Sequence, residues 1–296
     1  SVVVFTFRRA LQLDAFIETT IKNFPYLKLP IHIIYHYDQK HKESYDRLFN
    51  KWRAFITVHQ RSPKNFLKII SLLRPLNLLW YIKFKWLREY YDDFKKILID
   101  ILYDIESDFI LLSTDDQIIY KNTYIHQDIF KKINDNPKNY TMRLTSNYFF
   151  KDININKIVD VKNINEFKYL YWKSNKQINN TYWKYRFNVD GTIFQKNALL
   201  SFVKSFIFNM PTTLESIGLW ESRFRNYFNH CYGTYYRTSI GLQLSNIQKT
   251  IDTPAADFDI EYLMKLYIEN FRMDIDRLEI DEDNYIFIPK SIPLKK

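Results

Sequence analysis

The apolar residues of this chain fall into two patterns: short unbroken runs, and longer stretches in which they return every third or fourth position. Residues 1–6 open with the first kind, Val2-Val3-Val4-Phe5, and the run ends at the paired Arg8 and Arg9. A run this short and this rich in β-branched residues predicts a strand covered on both faces, as in a parallel sheet. Residues 11–22 carry apolar side chains at helical spacing. Pro25 and Pro30 close that segment before a second strand at 31–37, which stops at Asp38. Strand, helix and strand in so short a span make a βαβ unit. A third strand is predicted at 55–59 and a long helical region at 63–106, broken near Arg74-Pro75. A fourth strand at 109–113 runs into Thr114-Asp115-Asp116.

Beyond residue 120 the pattern loosens. Strands are predicted at 140–144 and 192–195 with an asparagine-rich stretch between them, and helices begin near Lys196 and Leu214. A helical tail follows over 257–278, and Pro289 and Pro293 end regular structure. Alternating strands and helices predict an α/β fold, a mixed Rossmann-like sheet flanked by helices, with ligands at the carboxyl ends of its strands. Three such ends carry polar residues: Arg8-Arg9, Asp38 and Asp115-Asp116. No linker or internal repeat interrupts the chain. We therefore expect one domain with two fused lobes, 1–120 and 121–256, followed by a tail over 257–296.

Composition narrows the class. Only four glycines against 46% hydrophobic and 18% aromatic residues exclude a disordered chain and predict a tightly packed one. The lone Cys231 forms no internal disulfide and fits a reducing, cytoplasmic compartment. No apolar stretch reaches the roughly 18 residues of a membrane span. A formal charge of +10 favours an anionic partner: nucleic acid, an acidic membrane surface or a nucleotide sugar. Interleaved acidic and basic residues, without a zinc finger or an RNA-binding aromatic signature, argue against nucleic acid. Residues 66–86 mix Leu72, Leu73, Leu78, Leu79 and Trp80 with Lys68, Arg74, Lys83 and Lys85. That mixture reads either as core with snorkelling lysines or as a surface for peripheral membrane contact.

The candidate chemistry begins at the fourth strand. Adjacent aspartates at the end of an apolar run repel each other unless a cation or hydrogen-bond donors compensate them. Mg²⁺ takes one or two carboxylates and fills its shell with water and phosphate oxygens, which suits a sugar diphosphate. The other reading is that Asp115 or Asp116 caps the segment starting at Gln117.

The succession Val3-Val4-Phe5-Thr6-Phe7-Arg8-Arg9, Ile33-Ile34-Tyr35-His36-Tyr37-Asp38 and Phe109-Ile110-Leu111-Leu112-Ser113-Thr114-Asp115-Asp116 resembles the GT2-like nucleotide-binding half of GT-A glycosyltransferases. The resemblance implies that Thr6, Arg8, Asp38 and Asp115 contact the nucleotide. It also implies that Asp115 and Asp116 hold Mn²⁺ or Mg²⁺ together with the diphosphate of a UDP- or GDP-sugar. The chain has Thr114-Asp115-Asp116-Gln117 in place of a strict Asp-x-Asp, so the resemblance does not choose between the two aspartates as metal ligand. Asn188-Val189-Asp190-Gly191-Thr192-Ile193-Phe194, Met210-Pro211-Thr212-Thr213-Leu214-Glu215 and Leu244-Ser245-Asn246-Ile247-Gln248 resemble blocks of an uncharacterised bacterial and viral-type glycosyltransferase group. This extends the likeness over nearly the whole chain. It implies hexosyl or N-acetylhexosaminyl transfer to a glycan, lipid-linked or protein acceptor, with Asp190 at the donor sugar or acceptor. Glu215 is then the first choice, and Asp190 the second, for the base that deprotonates the acceptor hydroxyl.

The residues by themselves leave plainer readings open. Glu215 is also a glutamate favoured by the helix dipole after Pro211, and Asp190-Gly191 is also a tight turn. A nucleotidyltransferase is one rival, although it normally shows an early glycine-rich phosphate loop and the first glycine here is Gly191. A non-enzymatic nucleic-acid or membrane-surface binding protein is the other. His32, His36 and His41 lack a partner set at diagnostic spacing and read as core or surface histidines, and His230 is the late histidine that a third metal position would call on. Arg223, Arg225, Arg237 and Lys249 with Tyr235-Tyr236 are candidates to steady a phosphate or an acceptor. The aromatics of 169–185 serve either as stacking platforms for sugar rings or as core.

Overall fold

Along the chain, β1 (Val2–Phe7), α1 (Ala10–Asn23), β2 (Ile31–His36), α2 (Lys42–Trp52), β3 (Ile56–Gln60), α3 (Phe94–Asp104) and β4 (Phe109–Thr114) come first. They are followed by β5 (Gln117–Ile119), α4 (Gln127–Asp135), β6 (Tyr140–Arg143), β7 (Val159–Ile164), β8 (Phe167–Lys173) and β9 (Thr192–Gln195). Helices α5 (Lys196–Lys204) and α6 (Pro211–Phe224), strands β10 (His230–Thr234) and β11 (Ser239–Leu242) and helix α7 (Ile260–Ile268) complete the larger elements. This is a computed structural model, which describes residues 1–62, 93–144, 159–173, 186–206, 208–224, 227–236, 238–242, 244, 256, 258–280, 286–287 and 291–296.

Nine strands form one mixed sheet in the order β3-β2-β1-β4-β9-β6-β10-β8-β7. The first four are parallel. β9 runs antiparallel between β4 and β6, which places the second half of the chain directly beside the first. The apolar runs are continuous because both faces of the sheet are covered. In β1, Val2 and Val4 face a core shared with Leu13 of α1, Leu48 of α2 and Tyr267 of α7. Val3 and Phe5 face the opposite core, with Leu98 of α3, Leu199 of α5 and Leu214 of α6. The mixed α/β sheet expected from the sequence is thus the architecture observed, and β1, β2, β4 and β9 lie within a residue or two of their predicted positions.

Two expectations need correction. The tail predicted as helix over 257–278 is helical only over Ile260–Ile268. Asp259 starts it by accepting from Tyr262 N at 2.8 Å, and Asn270, at φ 67°, turns the chain out of it. The asparagine-rich stretch, for which the sequence pattern named no element, contributes the β7–β8 hairpin. Ile164 pairs with Phe167 there, and Asn165 takes the positive φ of 54° that the two-residue turn needs. The segment 66–86, with its membrane-surface reading, lies outside the described residues, as do Arg225, Arg237 and Lys249. Among the described residues no helix is long and apolar enough to cross a membrane.

One close approach fixes α6. A Cβ built on Gly218 would meet the Phe187 ring at 2.6–2.8 Å, at its Cβ, Cγ and near ring edge, none of which can swing away. Phe187 is fully buried. Gly218→Ala is therefore expected to cost about 1–3 kcal/mol of stability, read as a lowered midpoint of denaturant unfolding with an unchanged slope. Ser216→Ala, at an exposed position of the same helix, should stay within about 0.5 kcal/mol of the parent. Equal effects of the two substitutions would contradict this packing.

Candidate functional site

The carboxyl ends of β1 and β4 lie side by side, with Phe5 in register with Thr114. At the end of β1 the chain must turn sharply into α1, and Arg8 does so at φ 60°, a conformation strained for a residue with a Cβ. The turn sends two consecutive arginines in different directions. Arg8 reaches outward, its Nη2 3.0 Å from Asp38 Oδ2, with both side chains about one-third exposed. Arg9 reaches inward, and its Nη1 lies 3.1 Å from Asp115 Oδ1 and 3.0 Å from Asp116 Oδ2.

Asp115 is enclosed. Its Oδ2 accepts from the Thr6 hydroxyl at 2.7 Å and from Phe7 N at 3.4 Å. The hydroxyls of Thr6 and the fully buried Tyr45 lie 2.8 Å apart. Burial pushes the Asp115 carboxyl up to about 6, against the pull of Arg9. For Arg9, burial opposes the charge but Asp115 and Asp116 outweigh it, so its pKa is raised. Thr6 thus turns its hydroxyl to Asp115 and is itself buried, whereas Arg8 and Asp38 remain at the surface of the strand ends. Asp38 also receives the ring Nδ1 of His41 at 2.6 Å.

Asp116 faces the second half of the chain. Its backbone carbonyl is fixed by Leu242 N at 2.6 Å. The hydroxyl of Thr114 lies 2.6 Å from Asp116 Oδ1 and 2.8 Å from Asp190 Oδ1, so one side chain joins the end of β4 to the loop before β9. Asp190 stands in a tight turn before β9: the Asn188 side chain accepts from Asp190 N, and Gly191 follows at φ 68°. The turn reading and the site reading are therefore both satisfied at Asp190. Glu215 is not in the first turn of α6 but on its fifth residue, where Oε1 accepts from Val189 N at 3.0 Å and so holds the Asp190 loop.

These side chains raise one another's proton affinity. Burial first, and then the charge of Asp116, push Asp190 up to about 7, while the Thr114 hydroxyl pulls the other way. Burial and then Asp190 push Glu215 up to about 8. Arg143, fully buried at the end of β6 with its guanidinium 5.5 Å from the Trp172 ring, opposes both shifts. Four carboxyl groups therefore share two guanidinium groups. Asp190 and Glu215 are thus a coupled pair, both held above the usual carboxylate range.

The gap between Asp115 and Asp116, where a divalent ion was expected, is spanned by Arg9. Among the described residues no group of three or more His, Cys, Asp or Glu side chains is arranged to hold a metal. Asp116 and Asp190, joined through the Thr114 hydroxyl, are the carboxylates that would suit an ion, since Mg²⁺ needs only one or two of them when phosphate oxygens and water fill its shell. His230 lies at the amino end of β10, level with Tyr140 rather than with Arg143, and so about 10 Å along the strand from Arg143. Its Nδ1 is 2.6 Å from the Tyr171 hydroxyl. His32 lies beside His59, at 3.3 Å, far along β2 from His41. Tyr169 and Trp172 are buried core residues rather than platforms.

The sequence did not single out Arg9, Thr114 or Arg143 for these roles. A charged residue ending a buried strand, as in Tyr140-Thr141-Met142-Arg143, was the available signal for Arg143. Nothing in the sequence separates Arg9 from Arg8, since the difference is one backbone torsion.

No protein-family model matches the chain, and no curated protein matches it in sequence. Solved structures resemble it distantly. TarS of S. aureus, residues 1–349, is 11% identical with a TM-score of 0.43, over 95% of this chain and 66% of that one. The galactosyltransferase LgtC, in complex with donor and acceptor sugar analogues, is 10% identical with a TM-score of 0.39, over 90% and 95% of the two chains. Mouse xyloside xylosyltransferase 1, in its apo form, is 10% identical with a TM-score of 0.36, over 84% and 98%. The likeness concerns the fold alone and assigns no residue a role.

The raised carboxyls have a consequence for stability. Near pH 4 the Glu215 carboxyl is protonated in both folded and unfolded chains and carries no penalty. As pH rises from about 4.5 towards about 8 the unfolded chain releases a proton that the folded one keeps, so stability falls through that window. Glu215→Gln should gain stability relative to the parent as pH is raised across it, measured by chemical denaturation at a series of pH values. A difference between parent and variant that does not change with pH would refute the shift.

Proposed function

We propose that this protein is a glycosyltransferase that moves a sugar from a nucleotide-activated donor to a hydroxyl of a glycan, lipid-linked or protein acceptor. The observation that carries the proposal is the Thr114 hydroxyl joining Asp116 to Asp190. It brings the acidic end of the nucleotide-side strand against a loop whose neighbour, Glu215, has a proton affinity suited to acid–base work. Carboxyl ends of strands at the switch between two halves of an α/β sheet are where such ligands bind.

In this reading Arg8 and Asp38, exposed at the ends of β1 and β2, flank the nucleoside, which is a UDP or GDP unit. Asp116, with Asp190 beside it, holds Mg²⁺ or Mn²⁺, which supplies charge compensation to the departing diphosphate. Asp190 faces the donor sugar. Glu215, anchored by Val189 N–H, takes the acceptor's proton as the acceptor oxygen bonds to the anomeric carbon and the bond from that carbon to the diphosphate oxygen breaks. Arg143 opposes the rise of both carboxyls, which favours the ionised form that a base must have. Hexosyl and N-acetylhexosaminyl donors are the sugar classes that we propose.

The direct test is a thermal-shift screen of UDP, GDP, CMP and dTDP sugars with Mn²⁺, Mg²⁺ or EDTA, since a ligand at 100 times its dissociation constant adds about 2.7 kcal/mol. Stabilisation by one nucleotide class is the expected result. Stabilisation only by oligonucleotides or anionic vesicles would replace this reading with that of a binding protein. With a donor in hand, Glu215→Gln should lower kcat by about 10²–10⁴ with little change in donor affinity, and Asp38→Ala should raise the donor KM with kcat nearly unchanged. Asp190→Asn removes the neighbouring charge that raises Glu215 and should move the acid limb of the surviving activity to lower pH.

A further inference from the structure

Arg9 occupies the position where the acid pair was expected to hold its metal. A single nitrogen, Nη1, lies 3.0 Å from Asp116 and 3.1 Å from Asp115, and its side chain is only 16% exposed. Asp115 spends its other oxygen on Thr6 and Phe7 N, and Asp116 its other oxygen on Thr114. The repulsion between the aspartates is thus answered from within the chain. A divalent ion approaching Asp116 meets a guanidinium already bonded to the same carboxylate.

We propose that Arg9 is a resident counter-cation that sets the order of assembly of the donor site. The ion binds weakly to the protein alone and is recruited with the diphosphate, which brings its own oxygens to the ion and gives the guanidinium a second anion to face. Arg9 here is a positioning residue acting through Asp116. The inference rests on the donor reading given above, and goes beyond it by assigning the metal affinity to a residue that is not a ligand. Three features favour this over a merely structural ion pair. The strained Arg8 torsion aims Arg9 inward at the acids. The Arg9 contact to Asp116 lies on the oxygen opposite Thr114 and Asp190, across the same carboxylate. The Thr114 hydroxyl holds Asp190 on the side of Asp116 away from Arg9, so a second carboxylate stands where the guanidinium does not reach.

The test is a Mn²⁺ titration of the intact protein followed by the electron paramagnetic resonance signal of the free ion, which needs no turnover. The parent should bind Mn²⁺ alone weakly, and about tenfold or more tightly once UDP or GDP is present. Arg9→Gln should bind Mn²⁺ alone about tenfold more tightly than the parent, with circular dichroism confirming its fold, and should lose most of the gain from added nucleotide. Arg9→Lys keeps the charge and should resemble the parent, which guards against a fold defect in the glutamine variant. The proposal is overturned if the parent binds Mn²⁺ equally well with and without nucleotide, or if Arg9→Gln leaves the affinity unchanged. Nucleotide binding measured by calorimetry at saturating Mn²⁺ keeps the two ideas apart: absence of nucleotide binding there sinks the donor reading, whereas nucleotide binding with a Mn²⁺ affinity that neither nucleotide nor Arg9→Gln alters sinks only the role of Arg9.

Discussion

A carboxylate at the end of an apolar strand loses its water, and the fold must return an equivalent set of partners. In this protein the Arg9 guanidinium does most of that for two carboxylates at once, and the surrounding structure is arranged to deliver it. Arg8 accepts a strained torsion so that Arg9 can turn inward. Thr6, Phe7 N and, through Thr6, Tyr45 of α2 complete the shell of Asp115. The enclosed Asp115 is then a fixed support that sets the exit of β4, and Asp116 is the member of the pair presented to the other half of the chain.

The second half answers with a loop held from both sides. Asn188 and Gly191 shape the turn at Asp190, and α6 closes on it because Gly218 lets the helix lie directly on Phe187. Gly218 and Glu215 are three residues apart and share a helix face. The close approach made possible by the glycine is thus what brings the Glu215 carboxyl within 3.0 Å of Val189 N. Packing, turn geometry and acid placement are a single constraint here, and Thr114 is the joint at which the two halves meet.

Much of the architecture was legible because its elements advertise one periodicity each. Val2-Val3-Val4-Phe5 and Ile110-Leu111-Leu112 are apolar at every position because each faces a core on both sides of the sheet. The hairpin of β7 and β8 was not legible. Asp160, Lys162 and Asn163 are exposed on an edge strand, so no apolar alternation marks it, and its turn rests on Asn165 rather than on a glycine. The candidate acids Asp115, Asp116, Asp190 and Glu215 were found from strand ends and resemblance. What joins them was hidden, since Thr114, Arg9 and Arg143 acquire meaning only when strands distant in sequence become neighbours. The pairing of β4 with β9, whose residues are some eighty positions apart, is not written in either strand.

The electrostatics of the site follow from the same topology. Four acids, Asp115, Asp116, Asp190 and Glu215, sharing the charge of Arg9 and Arg143 cannot all be ionised at ordinary cost, because each added charge raises the proton affinity of the next. Asp115 escapes by enclosure with Arg9. Asp116 lies between Arg9 and Thr114, and its charge adds to the burial that raises Asp190 and Glu215. Arg143 sets the limit to that rise from behind. The result is a graded series of buried carboxyls, held up to about 6 at Asp115, about 7 at Asp190 and about 8 at Glu215, so that proton affinity rises from the end of β4 towards α6.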